Sequence, residues 1–420
     1  MARPLLLAKF GGILWPMGGV VTGAMLIAWA TEVLSFFLSR GFAFAVLALL
    51  QVLPEFAVEA VITWEGAQDP ERLRYVSANF TGANRLIVGL FLPMIFFVAA
   101  HKMKQRGTPM TSVEMPVHSS VEVLALLAAT VYSFIIPLKG TLALYDAAIL
   151  VALYTVYLLM VFRLPTEEED DANLPIVARK IRMQPVARQK QIIAIMFLIG
   201  GGLLFVSVHP FYENTLALGE TLGIDPYFLV QWLAPLLSEF PEFITVIYWA
   251  VTMRATLGLT NAVSSKVNQW TLLLAMVPIV YLIGTWQMGD MKLEVPFDRE
   301  QRVEILLTSA QGLFAAACLI NLRFERWEAW ALLLLWAAQL VDPAVDPYIE
   351  DTVFAWSPFG SHAYIREWFV FVYLGLTLYL FGRVKGRFAA FQGFAEVWRT
   401  HIHPVKGTVA PVEHPPTVKE

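Results

Sequence analysis

The sequence predicts an all-α polytopic membrane protein, with ten membrane helices in two inverted five-helix repeats and an eleventh helix after them. Three observations carry this. Of 420 residues, 57% are apolar and only 15% charged, and mean hydropathy is +0.61. Apolar runs of about 20 residues, enough to cross a hydrocarbon core of about 30 Å, recur along the whole chain. The same polar interruption, Pro-Glu-Phe, stands inside two of those runs, at 54–56 and 241–243.

Taken in order, the candidate spans are 11–34, 37–63, 76–99, 118–137, 141–162, 191–211, 226–252, 260–284, 303–322, 327–341 and 367–382. The N-terminus lacks a basic start and small-residue cleavage site, so its first apolar run is expected to stay in the membrane. The widest polar gap, 163–190, carries Glu167, Glu168, Glu169, Asp170 and Asp171, then Arg179, Lys180, Arg182, Arg188 and Lys190. It divides the chain into a first repeat (1–162), a cytoplasmic linker (163–190) and a second repeat (191–341). An acidic external loop (342–366), the extra span (367–382) and a cytoplasmic tail with little structure (383–420) follow.

Lys and Arg in short loops set orientation. Lys102, Lys104 and Arg106, the 179–190 cluster, and Arg383, Lys385 and Arg387 all fall on one side. That side is read as cytoplasmic, with the N-terminus outside and the C-terminus inside; Arg3 and Lys9 run against the pattern. The net charge of −4 points to no nucleic-acid partner, and Cys318, the single cysteine, excludes a disulfide within the chain. Glu32, Asp146, His209 and Glu213 lie near span ends, where a solvated position is expected. Arg85 is expected to reach an interface by extending its side chain.

The two Pro-Glu sites are five spans apart. Five is odd, so the two copies cross the membrane in opposite senses, an inverted repeat whose equivalent sites can meet near the midplane. A proline in a helix frees an upstream carbonyl, tolerated at membrane depth only where it faces protein or a wet cavity. A glutamate there costs several kcal/mol and is a functional residue by default. Carboxylates with freed carbonyls are hard oxygen ligands of the kind Na⁺ and Ca²⁺ take. In the first copy Gln51, Glu55 and Glu59 share one helix face; in the second, Ser238, Glu239 and Glu242 lie within two turns, with Pro235 as a further break. A polar stretch opens the span after each copy: Asn79, Thr81 and Asn84 in one, Asn261, Ser264, Ser265 and Lys266 in the other.

These motifs resemble the cation/Ca²⁺ exchanger superfamily, the sodium/calcium exchanger membrane region, whose repeats read Gly-Thr-Ser-x-Pro-Glu and then Gly-Asn-x-x-Gly-Ser-Asn-x-x-Asn/Asp. Leu222-Gly223-Ile224-Asp225 and Arg326-Trp327-Glu328 also look like the family, and the likeness covers about 10–341. The resemblance implies a ten-helix core with alternating access. It also implies ion ligation by Glu55 and Glu242 together with the polar positions of the third and eighth spans. Candidate cation-binding residues are therefore Glu55, Glu242, Glu239, Ser238, Gln51, Asn79, Asn84, Ser265 and Gln269, with Lys266 and Glu59 as charge modulators. Departures are specific: Gly-Thr-Ser is Leu50-Gln51-Val52 in one copy and Leu237-Ser238-Glu239 in the other, and the expected ligand positions hold Ile87 and Gln269.

The function this implies is secondary active antiport of Ca²⁺ or a monovalent cation against Na⁺ or H⁺. A second reading is a non-transporting ion sensor or scaffold of the same fold. No His-Glu-x-x-His, nucleotide-binding glycine loop or P-loop is present, so neither an enzyme nor an ATP-driven pump is expected, nor a cofactor. The expected location is a prokaryotic inner membrane.

Overall fold

The computed structural model describes residues 2–37, 53–164, 174–340, 365–383 and 388–402. The first half comprises α1 (Ala2–Leu34), α2 (Leu53–Gln68), α3 (Arg74–Gln105), α4 (Val117–Lys139) and α5 (Leu144–Val161). A short helix, α6 (Ile176–Arg182), leads into α7 (Val186–Leu222). Then come α8 (Pro226–Ser238), α9 (Phe240–Val251), α10 (Ala255–Gln287), α11 (Arg299–Leu319) and α12 (Arg326–Gln339). α13 (Ile365–Arg383) covers the expected extra span and α14 (Ala389–Val397) follows it. Among the described residues, α1, α3, α4, α5, α7, α10 and α11 are each long and apolar enough to cross a membrane unaided.

The repeat extends well beyond the Pro-Glu motifs. α3 and α10 each contain one π-helical turn, Ile87–Phe91 and Gln269–Leu273. Short strands β1 (Ser112–Glu114) and β2 (Thr141–Ala143) in the first half match β3 (Glu294–Pro296) and β4 (Arg323–Glu325) in the second. From the π turns to the starts of α5 and α12, every element begins 182 residues after its counterpart. The strands pair antiparallel across the halves, β1 with β4 and β2 with β3. A two-fold relation between the halves requires that exchange.

Local chemistry sets the ends. Gly140 and Gly223, both left-handed (φ 78° and 67°), stop α4 and α7. Asp225 accepts from the Tyr227 amide to start α8, and Asp298 and Gln301 form a capping box on α11. The 33-residue α1 and 37-residue α7, first in their halves, pack along each other. They cross through small residues: a Cβ on Gly23 would lie 2.8 Å from the Gly200 carbonyl, and one on Gly200 2.9 Å from the Gly23 carbonyl. On its outer face α7 exposes Leu198 and Phe205, as a lipid-facing helix does.

Three expectations are corrected. The 226–252 span is two helices meeting at Glu239, because Pro241 has no N–H for the Leu237 carbonyl. The tail is not unstructured throughout: α14 docks on the start of α4, with Gly393 against Val117 and Ser120 and the Ala390 amide bonded to the Ile320 carbonyl. Asp146 is fully buried, not solvated; it takes hydrogen bonds from Lys139, from Tyr132 (2.6 Å) and from the Ala143 amide (2.6 Å), fixing the turn between α4 and α5. His209 and Glu213 are at least part-exposed; His209 Nδ1 lies 3.5 Å from Glu65, and Glu213 is ion-paired with Arg72.

Candidate cation-binding site

The two Pro-Glu sites meet. Glu55, in the first turn of the described part of α2, and Glu239, at the α8–α9 break, are both buried, 3% exposed each. Their carboxyl groups lie within hydrogen-bonding reach of each other, and Glu239 is likewise within reach of Glu242 in the first turn of α9. Around this chain of three carboxyls stand amides and a hydroxyl. Gln269 Nε2 donates to Glu239 (2.7 Å), Asn261 Nδ2 to Glu242 (3.1 Å) and Ser265 Oγ to Glu242 (2.7 Å). Gln269 is the first residue of the π turn in α10, and that turn sets its side chain towards α8 and α9 rather than along the helix.

Glu59, fully buried one turn after Glu55, takes hydrogen bonds from Asn79 (2.6 Å) and Thr63 (3.4 Å). Asn84 donates to the Phe80 carbonyl of its own helix, and Ser238 to the carbonyls of Ala234 and Pro235. Gln51 lies outside the described residues. Lys266 is buried: its Nζ donates to the Asn84 carbonyl (2.9 Å) and sits 4.9 Å from the Trp270 ring centre. It therefore bridges α10 to α3.

Acceptor oxygens are left over here. Glu55 Oε1, Asn79 Oδ1, Asn84 Oδ1 and Gln269 Oε1 are buried with no donor among the described residues. Buried polar atoms are nearly always satisfied, and a buried acceptor oxygen left without a donor suits a cation. Among the described residues no three carboxylate or imidazole groups converge tightly enough to hold a metal on their own. A cation bound here would draw on amide oxygens too.

Sequence reasoning missed a second buried ionic group. Arg85 is 1% exposed and does not reach an interface. Its Nη2 is 2.5 Å from Glu304 Oε2 on α11, its Nη1 3.2 Å from Gln339, and its guanidinium lies over Trp232. Arg366 of α13 pairs with the same Glu304 (2.7 Å) and with Glu300 (3.0 Å), and Gln231 donates to Glu304 (3.1 Å). Glu304 thus ties the core to the extra helix. A signal did exist: a charged residue in the middle of an otherwise apolar stretch, on a chain with a detectable repeat. Asn261, in the polar stretch opening α10, also belongs to the site.

Buried carboxyls at the interface of inverted repeats, on a broken helix, define a secondary transporter by class. The chain belongs to the sodium/calcium exchanger protein family, whose model matches residues 8–163 and 192–341, both halves of the repeat. Among solved structures it is similar to that of an H⁺/Ca²⁺ exchanger CAX, with 31% identity, TM-score 0.81 and 95% of each chain covered. It shares its fold with native YfkE (16% identity, TM-score 0.55, 77% of this chain and 89% of that one). The same holds for the sodium-calcium exchanger NCX_Mj (14%, TM-score 0.52, 80% and 99%). No curated protein matches the chain. It is an integral membrane protein of an exchanger family.

Proposed function

We propose that this chain exchanges Ca²⁺ for H⁺ by alternating access, with Glu55, Glu239 and Glu242 as the groups that bind the cation or the protons in turn. The observation that carries this is the chain Glu55–Glu239–Glu242, carboxyl against carboxyl. Carboxyls buried side by side cannot all stay ionised without a counter-charge, and either protons or a divalent cation relieves their repulsion. When a divalent cation enters, those protons leave and the same oxygens become ligands, joined by the donor-free oxygens of Asn79, Asn84 and Gln269. The Na⁺-type reading has less to stand on, since two positions of the family's ligand set hold Ile87 and Gln269. The similarity to an H⁺/Ca²⁺ exchanger supports the same choice.

The packing supports alternating access. α1 and α7 touch through glycine and so can shift against each other with few side chains to disengage, while the strand pairs hold the rest of the two halves together. The basic loops support an orientation with the 100–117 segment and the tail in the cytoplasm and the N-terminus outside, and the membrane is taken as a prokaryotic inner membrane. Lys266 favours a second reading, in which its fixed charge excludes Ca²⁺ and the site serves a monovalent cation or only senses one.

The test is flux in proteoliposomes with Na⁺, K⁺ and H⁺ gradients imposed in turn. Ca²⁺ movement driven by a pH gradient without Na⁺, lost in Glu242→Gln, is expected. No flux of any cation in folded protein overturns the reading, and Ca²⁺ transport gained only in Lys266→Asn selects the second.

A further inference from the structure

The two-fold relation sets one more pair of acids against each other. Glu122 on α4 and Glu304 on α11 are 182 residues apart, the spacing of the repeat, and each is the sixth residue of its helix. Both are buried, at 5% and 1% exposure. Their helices start on opposite membrane faces, so each lies about 8 Å inside one face, at about 1.5 Å per residue.

Their surroundings differ. Glu304 has Arg85, Arg366 and Gln231. Glu122 Oε2 is buried with no partner among the described residues. The residue that matches Arg85 in the second repeat is Val267, and Arg366 belongs to a helix outside the repeat. On the elements packed against α4, Tyr157 of α5 senses Glu122 and Thr260 of α10 meets Ser119, while the charged groups are engaged elsewhere or exposed: Asp146 with Lys139, Lys266 at the Asn84 carbonyl, Arg299 with Glu367, Glu300 and Glu304 with Arg366, Arg302 at the Pro137 carbonyl, and Glu396 exposed on α14. On its own helix, half-buried His118 lies one turn nearer the aqueous phase. A carboxyl held this way without a counter-charge is costly when ionised and cheap with a proton on it.

The neighbours form a line towards the site. Tyr157 is close enough to feel the charge of Glu122, and its hydroxyl is 2.8 Å from Ser264 Oγ. Ser264 precedes Ser265, whose hydroxyl is 2.7 Å from Glu242. We propose that Glu122 is a proton station on one side of the transport site only, passing the exchanged proton between the cytoplasmic face and Glu242 through Tyr157 and Ser264.

The proton count balances. Glu122 takes a proton from cytoplasmic water and gives it to Tyr157, which releases its own hydroxyl hydrogen to Ser264. A water carries the step to Ser265 and Glu242, and each hydroxyl ends with the one hydrogen it began with. The matching route from the other face has no such station, because Glu304 is held by two arginines. The proposal rests on H⁺ being the coupling ion.

It is tested in proteoliposomes on Glu122→Gln, Glu122→Asp and Tyr157→Phe, with two rates measured for each. One is net Ca²⁺ flux driven by a pH gradient; the other is isotopic Ca²⁺/Ca²⁺ exchange at equal pH, which moves no net proton. Positioned proton carriers speed proton transfer about 10²-fold or more in enzymes. The H⁺-driven rate should therefore fall at least about tenfold in Glu122→Gln and Tyr157→Phe, with Ca²⁺/Ca²⁺ exchange within about twofold of wild type. Glu122→Asp should recover most of the loss, and the wild-type rate should follow pH on the face bearing the 100–117 loop. Equal falls in both rates, or no change in either, overturn the proposal. Wild-type protein that exchanges isotopic Ca²⁺ but moves none against protons overturns the functional reading beneath it.

Discussion

The first and second repeats share one backbone and divide its chemistry unequally. The π turns, the strands and the starts of α4 and α5 against α11 and α12 repeat at a fixed spacing of 182 residues. Yet Glu242 draws Asn261 and Ser265 to itself, while Asn79, the match of Asn261, serves Glu59 and leaves Glu55 to face Glu239. Gln269 reaches into the site where its counterpart is the apolar Ile87. Cations are divided as unequally: Lys266 stands opposite Asn84 in the repeat alignment, and Arg85 opposite Val267. The backbone symmetry relates the two halves, and the side chains make the surroundings of the site different on its two sides.

The largest effect that can break this comparison is expected at Glu304. Glu304→Ala leaves Arg85 and Arg366 buried without their acid, a loss of the order of 3–5 kcal/mol, read as a steep fall in melting temperature in detergent. Glu122→Gln, its repeat counterpart, leaves at most one unmatched amide and should cost about 1–2 kcal/mol. Equal losses would mean that the two acids are in equivalent surroundings after all. Next comes Gly82→Ala. Its Cβ would fall 1.8 Å from the Gln231 carbonyl, forcing α3 from α8 at a cost of about 1–3 kcal/mol, visible both as lower thermal stability and slower flux.

A smaller effect sharpens the comparison at the site. Asn261→Ala removes a donor that orients Glu242, and half-saturating Ca²⁺ should rise about tenfold, or about 1.4 kcal/mol. Asn79→Ala acts on Glu59, further from the carboxyl chain, and should raise it only about threefold by the same conversion. The reverse order would put Glu59, not Glu242, at the centre. The smallest effect is expected at the exposed Arg323–Glu114 pair that links β1 to β4. Arg323→Ala should leave melting temperature and flux unchanged, since exposed ion pairs contribute little and the strands are held by their backbone ladder.

Much of the fold was legible because membranes constrain sequences strongly. Span length, the two Pro-Glu motifs and the odd number of spans between them are one-dimensional signals, and they led to the inverted repeat. The break at Glu239 was less legible, since a proline in a span can kink a helix or divide it, and packing decides which. Within the site, Glu55, Glu239, Glu242, Ser265 and Gln269 could be named because they sit on or beside the motifs. Arg85 could not be paired from sequence: Glu304 is 219 residues away, and an arginine near a span can reach water or an acid equally well. Asp146 misled for a similar reason, since its partners Lys139 and Tyr132 gather only when the α4–α5 turn closes.

The central claim is that protons and a cation compete for the Glu55–Glu239–Glu242 chain. It is tested most directly by proton counterflow: vesicles holding a pH-sensitive dye, no Na⁺ on either side, and an imposed Ca²⁺ gradient. The account predicts that Ca²⁺ entry drives protons out of the wild-type vesicles, raising internal pH, and that Glu239→Gln abolishes both movements. Ca²⁺ entry with no change in internal pH, or entry that requires internal Na⁺, would contradict it.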